Sequence, residues 1–191
     1  MTTAEITHSR EQHEIESIIS TISHSIEEIV NYTYDHRVRL IKPVIGFDAS
    51  ALALSFLPAA GEALSNGRTI QDDAYTFTHL RRDLFDKCVE AGAVMQSRYI
   101  IETSHITIAR FINEVDFQQD NGAELDRQKV SKLISIIEEL NKWLEEDYWP
   151  NHTAAIRNGG EWIVGEERGL DLRSGTPWYG EGDRVQLGKG F

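Results

Sequence analysis

Apolar and polar positions alternate along this chain with two distinct periods. Over 12–30, Ile15, Ile18, Ile19, Ile22, Ile26, Ile29 and Val30 recur in steps of three and four, which predicts an amphipathic helix. Ser9 followed by Gln12 offers a capping box for its start. The period then changes to two. Leu52, Leu54 and Phe56 alternate with Ala51, Ala53 and Ser55, which predicts a half-buried strand over 51–57. Val38 to Phe47 is a second strand candidate, and Phe47-Asp48-Ala49-Ser50 joins the two as a hairpin. Pro43 lacks a ladder donor, so it belongs at an edge or a bulge of that strand. An exposed loop with Gly61, Asn66 and Gly67 follows over 58–72.

Helical spacing returns twice. Asp72 or Asp73 caps a helix running to about Glu90, with Phe77, Leu80, Leu84 and Cys88 on its buried side and Gly92 just past its end. A third helix spans 129–147 with the stripe Val130, Leu133, Ile137, Leu140 and Leu144, flanked by Ile134 and Trp143, and Pro150 stops it. The β-branched start, residues 1–6, reads as the end of a strand.

Between these two helices, Tyr99 to Phe111 is β-branched and aromatic-rich and reads as the central strand. Strand alternation sets His105, Thr107, Ala109 and Phe111 on one side, and Ile106, Ile108 and Ile112 on the core-facing side. His105 and Thr107 then stand about 7 Å apart along a rigid element. An imidazole exchanges its proton near neutral pH and a hydroxyl can bond an oxyanion, so the pair suits proton transfer at a phosphate. A histidine held for structure alone is the competing reading, because His-x-Thr on a strand is common.

Charge and composition narrow the field. The net charge of −12 argues against nonspecific duplex binding but leaves room for a small nucleotide in a local basic pocket. Basic residues cluster at Arg37, Arg39 and Lys42, and again at Arg81, Arg82, Arg98 and Arg110, although surface pairing with carboxylates is the common fate of each. A chain of 191 residues with 40% hydrophobic content suits one domain with one core. No apolar run has the roughly 18 residues a transmembrane helix needs, and the polar, acidic start is unlike a signal peptide. The single cysteine, Cys88, fits a reducing compartment, cytoplasm first and nucleus second. His13 and His24 lie off the helix stripe, no cluster has zinc spacing, and no Gly-x-Ser-x-Gly nucleophile elbow occurs.

From 158 to 191 the character changes: nine of the fourteen glycines and two of the four tryptophans fall here. The segment reads as a covering tail of short strands and turns, with Trp162 and Ile163-Val164 as packing anchors. Trp178 and Tyr179, beside Gly180, either pack or offer an aromatic platform to a base.

The string Ser104-His105-Ile106-Thr107-Ile108-Ala109-Arg110 resembles the His-x-Thr motif of the two-histidine phosphoesterases, the superfamily of 2′,5′ RNA ligases and cyclic nucleotide phosphodiesterases. Arg37 to Lys42, Leu80-Arg81-Arg82-Asp83-Leu84 and Trp178-Tyr179-Gly180 resemble its fungal RNA ligase-like members. The likeness covers nearly the whole chain, but only His105 and Thr107 carry the catalytic pattern. In that family a His-Met-Thr precedes a segment like Glu5-Ile6-Thr7-His8-Ser9, so Thr2 corresponds to the threonine of the first motif and its histidine falls before Met1. The resemblance therefore implies an incomplete two-lobed fold that lacks the N-terminal lobe. It also implies His105 as acid or base, with Thr107 and Thr2 on phosphate oxygens and Trp178 and Tyr179 near the substrate, without metal or other cofactor.

The expectation is an α+β fold, a small antiparallel sheet with about three helices in a single domain over 1–191. The expected function is a metal-independent phosphodiesterase acting on a nucleotide 2′,3′-cyclic phosphate or an RNA end, weakly active or inactive. A non-catalytic nucleotide- or RNA-end-binding domain, or an interaction domain with a structural His105, is the alternative. Duplex DNA and membranes are not expected partners, and self-association stays open because a missing lobe would leave a bare edge or apolar patch.

Overall fold

The computed structural model describes residues 1–64, 67–96, 103–119, 122, 124–150, 157–176 and 182–191. The fold is α+β. Two short helices, α1 (Gln12–Ile22) and α2 (Ile26–Asn31), precede the hairpin β1 (Val38–Phe47) and β2 (Ala51–Pro58). Helix α3 (Phe77–Glu90), strand β3 (Ser104–Arg110) and helix α4 (Arg127–Tyr148) follow, then β4 (Glu161–Val164), β5 (Arg168–Ser174) and β6 (Asp183–Lys189). β3, β2, β1 and β4 form one antiparallel sheet in that order, and β5 pairs with β6 in a second.

The hairpin matches its sequence pattern. Asp48 turns the chain by accepting bonds from the Ser50 N–H and hydroxyl, both at 2.7 Å, and from the Ala51 N–H at 2.8 Å. Pro43 falls at a bulge between Ile41 and Val44, where Lys42 takes a positive φ of 55°. β1 is not an edge strand, but β4 pairs only with 38–41, so Pro43 faces no ladder partner on that side. Beyond β4, α4 closes the strand: the Asn141 side chain accepts from the Ile45 N–H at 2.7 Å and donates to the Ile45 carbonyl at 2.9 Å. Trp149 Nε1 donates to the Pro43 carbonyl at 2.9 Å.

The principal core forms where α2 and α3 meet one sheet face. Ile22, Ile26, Val30, Phe77, Leu80, Leu84 and Cys88 pack with Val38, Leu40 and Val164, and the half-buried Phe56 and Trp162 close the cluster. Each large apolar side chain fully buried here contributes about 1.5–3 kcal/mol. The four buried positions expected on α3 are the four observed.

Several boundaries differ from expectation. The first helix starts at the cap Glu11, paired with Glu14, rather than at Ser9, which has a left-handed φ of 54°. It also breaks into a 3-10 turn at Ser23–Ser25. The break follows a run in which Thr21 and Ser23 hydroxyls donate back to the carbonyls of Ser17 and Ser20, in competition with the helix ladder. α3 is capped by Thr76 with His79, while Thr69 caps the preceding 3-10 turn (Ile70–Asp73) with Asp72 as its partner, and Asp73 is buried. On α4 only Ile137 and Leu144 are buried, and Leu140 is 40% exposed because Asn141 takes the sheet-facing position. Residues 1–8 form no strand; they run beside the chain after α3, with the Gln96 N–H donating to the Ile6 carbonyl at 3.1 Å.

The largest correction concerns β3, which is an edge strand of its sheet and not the centre. Its expected core stripe fails as well: Ile108 is 56% and Ile112 96% exposed. Helices α2 and α3 pack at the β1–β4 end of the sheet, so β3 lies outside the well-covered region. Residues 97–102 of the expected strand lie outside the described residues.

The tail does more than cover the sheet. β4 joins the main sheet through Trp162 and Val164, whereas β5 and β6 lie on α2. Gly169 and Gly188 allow that approach, since a Cβ there would stand 2.6 Å and 2.0 Å from the Val30 carbonyl oxygen. Among the described residues, no helix is long and apolar enough to cross a membrane.

Candidate phosphate-recognition face

β2 and β3 fix the face on which each candidate side chain emerges, because directly opposed residues in an antiparallel pair share a side. His105 pairs with Ser55, Thr107 with Ala53, and Arg110 with Ala51. Ser104 pairs with Phe56, which belongs to the helix-covered core, so His105 and Thr107 point to the opposite face. His105 and Thr107 are half-buried there, on a floor of the half-buried small residues Ala51, Ala53 and Ser55.

Simple alternation expected Ala109 and Phe111 beside His105, but the register shifts between Leu52 and Ala53. Ile108 is the extra residue of this bulge. The bulge moves Ala109 opposite Leu52 and brings Arg110 to the His105 face. Arg110 and Ser55 are therefore the residues of this candidate site that strand periodicity missed. Nothing local in the sequence marks the bulge, and Ser55 becomes a neighbour of His105 only through pairing. Arg110 also lies within electrostatic reach of Asp48, whose carboxyl is held below its ordinary range by the Ser50 hydroxyl first, then the Ser50 and Ala51 N–H groups.

His105 Nδ1 lies 3.3 Å from the Thr103 carbonyl oxygen and 3.4 Å from its hydroxyl. The carbonyl can only accept, so that contact calls for the proton on Nδ1 and leaves Nε2 as the acceptor. A neutral ring in this tautomer can take a proton from a hydroxyl or water at Nε2. His105 is the only histidine within the four strands of the main sheet.

Of the other expected site residues Thr2 alone is described, and it does not join this face. The carbonyl of Thr2 accepts from Arg81 Nη2 at 3.0 Å, which ties Thr2 to α3 and so to the layer on the opposite side of the sheet. Trp178 and Tyr179 lie outside the described residues, as does Arg98. Arg82 pairs with neighbouring Asp83 at 2.7 Å, and Arg81 also lies over the Phe77 ring at 4.5 Å. In the first basic cluster, Arg37 sits over the Phe191 ring, Lys42 pairs with Glu62, and Arg39 is buried. Arg39 emerges on the same side of the sheet as His105, since neighbouring Leu40 faces the core, but its guanidinium is buried against Asp73.

A second polar group links the helices. Asp83 Oδ2 accepts from the Tyr75 hydroxyl at 2.7 Å and the Tyr32 hydroxyl at 3.2 Å, and His36 stacks on Tyr32 at 3.8 Å between ring centroids. Burial, with Asp83 after it, pushes the Tyr75 phenol above its ordinary value. For Asp83, burial acts upward, but Tyr75, Arg82 and Tyr32 outweigh it and hold the carboxyl low. With these bonds made internally, the group works as a strap between α3 and the turn after α2. An open depression of about 460 Å³ at the start of α4, lined by Glu124, Leu125, Arg127, Val130, Ser131 and Ile134, does not include His105. Among the described residues, no group of three or more His, Cys, Asp or Glu side chains is placed to hold a metal ion. Compared with family models, curated proteins and solved structures, the chain matches none.

Proposed function

We propose that the His105 face of β2 and β3 recognises a phosphate ester, either a nucleotide 2′,3′-cyclic phosphate or an RNA end, and acts on it as a weak phosphodiesterase without metal. One observation carries this reading: pairing brings an imidazole, a hydroxyl and a guanidinium, from His105, Thr107 and Arg110, to one sheet face, opposite the core formed with α2 and α3. The chemistry follows from the types. Thr107 and Arg110 bond the phosphoryl oxygens, and His105 Nε2 takes the proton of an attacking water as the cyclic ester opens. The leaving 2′ or 3′ oxygen needs a proton in turn, and the main sheet supplies no second histidine to give it. General acid or base assistance is typically worth 10²- to 10⁴-fold, so turnover is slow. The single buried cysteine, Cys88, fits work in the reducing cytoplasm or nucleus.

The test is hydrolysis of 2′,3′-cyclic nucleotides followed by phosphorus NMR, for the wild type and His105→Ala, with and without a chelator. The reading expects slow turnover that His105→Ala abolishes and the chelator leaves unchanged. Activity that survives His105→Ala but vanishes with the chelator would place the chemistry elsewhere.

A second reading rests on the contact between His105 Nδ1 and Thr103, which orders the chain entering β3. Under it the face is non-catalytic and serves binding or interaction only. Nucleotide-induced shifts of the His105 ring protons without turnover would favour it.

A further inference from the structure

Helix α4 carries a second apolar stripe that nothing described in this chain covers. Ile136, Leu140 and Trp143 are 45%, 40% and 47% exposed. At 100° per residue these three fall within a sector of about 60°, centred roughly a quarter of a turn away from the buried Ile137 and Leu144. Trp143 is held in place by an edge-on contact with Tyr148 at 5.2 Å.

Charge along the helix identifies what fits there. The first half carries Arg127, Lys129 and Lys132 and no acidic residue, while the second half carries Glu138, Glu139, Glu145, Glu146 and Asp147 against Lys142 alone. A parallel copy would set like charges together at both ends. An antiparallel copy sets each basic half on an acidic half. The spacing agrees with this arrangement: Ile136 and Trp143 are symmetric about the point between Glu139 and Leu140, and so are Lys132 and Asp147. A two-fold axis at that point pairs Ile136 with the partner's Trp143, and Lys132 with the partner's Asp147, twice over, while Leu140 packs near the axis. Among the described residues, Asp147 has a long, exposed contact with Arg157, at 3.8 Å, to give up.

We infer that α4 is a self-association surface, on which two copies of this chain pair as antiparallel helices about a two-fold axis between Glu139 and Leu140. A closed, isologous contact of this kind is the commonest form of homodimer. Its affinity is weak, because three half-exposed side chains fall short of the roughly 1,200–2,000 Å² of a standard interface and two chains of net charge −12 repel at long range. This inference does not depend on the proposed phosphodiesterase activity.

Sedimentation velocity on the full chain, from about 5 to 500 µM, tests it against a dissociation constant in the micromolar range. The expected result is a concentration-dependent shift from monomer to dimer that Leu140→Glu removes. Lys132→Asp and Asp147→Lys should each weaken the dimer, and the double variant should restore it. All three positions are exposed, so circular dichroism should show each variant folded. Leu140→Cys should crosslink to itself under mild oxidation, whereas Lys132→Cys, far from the axis, should not; buried Cys88 adds little background. A monomer across the whole range, a Leu140→Glu variant that still dimerises, a double swap no better than the single ones, or efficient self-crosslinking at Lys132→Cys would each overturn the antiparallel dimer.

Discussion

Arg39 Nη2 meets Asp73 Oδ2 at 2.6 Å with both side chains shut off from water, 0% and 1% exposed. Arg39 enters from β1, and Asp73 from the 3-10 turn ahead of α3, so their contact fastens the long loop after β2 to the sheet. The remaining donors and acceptors are used. Arg39 also reaches Glu161 and the carbonyls of Glu62 and Ala63, and Asp73 accepts from Gly61 and Arg68. Lone buried charges are far costlier than paired ones.

Removing one partner therefore leaves the other stranded. Asp73→Ala should cost about 3–5 kcal/mol, and Arg39→Met a similar amount, as read from urea unfolding midpoints. The double variant Arg39→Met/Asp73→Leu should recover much of either loss. Equal losses that add in the double variant would show the pair to be energetically independent.

The same pair sets an acid dependence. Burial pushes the Asp73 carboxyl upward, but the bonds from Arg39, Gly61 and Arg68 prevail and hold it below its ordinary value. A carboxyl depressed in the folded state adds stability that is full above its unfolded value, near pH 4, and is lost as pH falls through the folded value. Urea midpoints should thus be flat from about pH 7 to 5 and fall steeply below about pH 4. Asp73→Asn should be less stable at neutral pH and show a shallower decline in acid. An unchanged slope would assign the acid sensitivity to other carboxylates, Asp83 first.

The seat of β5 and β6 on α2 depends on two residues without side chains. Gly188→Ala drives a Cβ to 2.0 Å from the Val30 carbonyl oxygen, a backbone atom that cannot swing aside. The cost should be at least about 1–3 kcal/mol. Gly46→Ala, with nothing within 4 Å of its new Cβ, is the matched control and should be neutral or slightly stabilising. A thermal melt on each settles the comparison.

At the candidate site, Thr107→Val keeps shape and removes a hydroxyl. If that hydroxyl bonds a phosphoryl oxygen, nucleotide affinity should drop about tenfold, the worth of one hydrogen bond near 1.4 kcal/mol. Thermal stability should hardly change on this half-buried edge strand. Titration by calorimetry, beside a melting curve, separates lost recognition from lost folding.

Much of this architecture was legible in the residues themselves. The α3 stripe of Phe77, Leu80, Leu84 and Cys88, the β1–β2 hairpin around Asp48 and the bulge at Pro43 are local consequences of side-chain period and backbone chemistry. Such features depend on neighbours a few positions away, so the order of residues determines them. Tertiary structure alone decided that β3 is an edge and that Ile108 bulges, and with it which of Ala109 and Arg110 joins His105. A one-residue shift in pairing inverts every later side chain, and that register is set by a partner strand some fifty positions away in the chain. Ser55 opposite His105, Thr2 tied to Arg81 and the burial of Arg39 against Asp73 are decided in the same way. Each depends on which surfaces meet when the chain closes, a property of packing between distant segments that no local period contains.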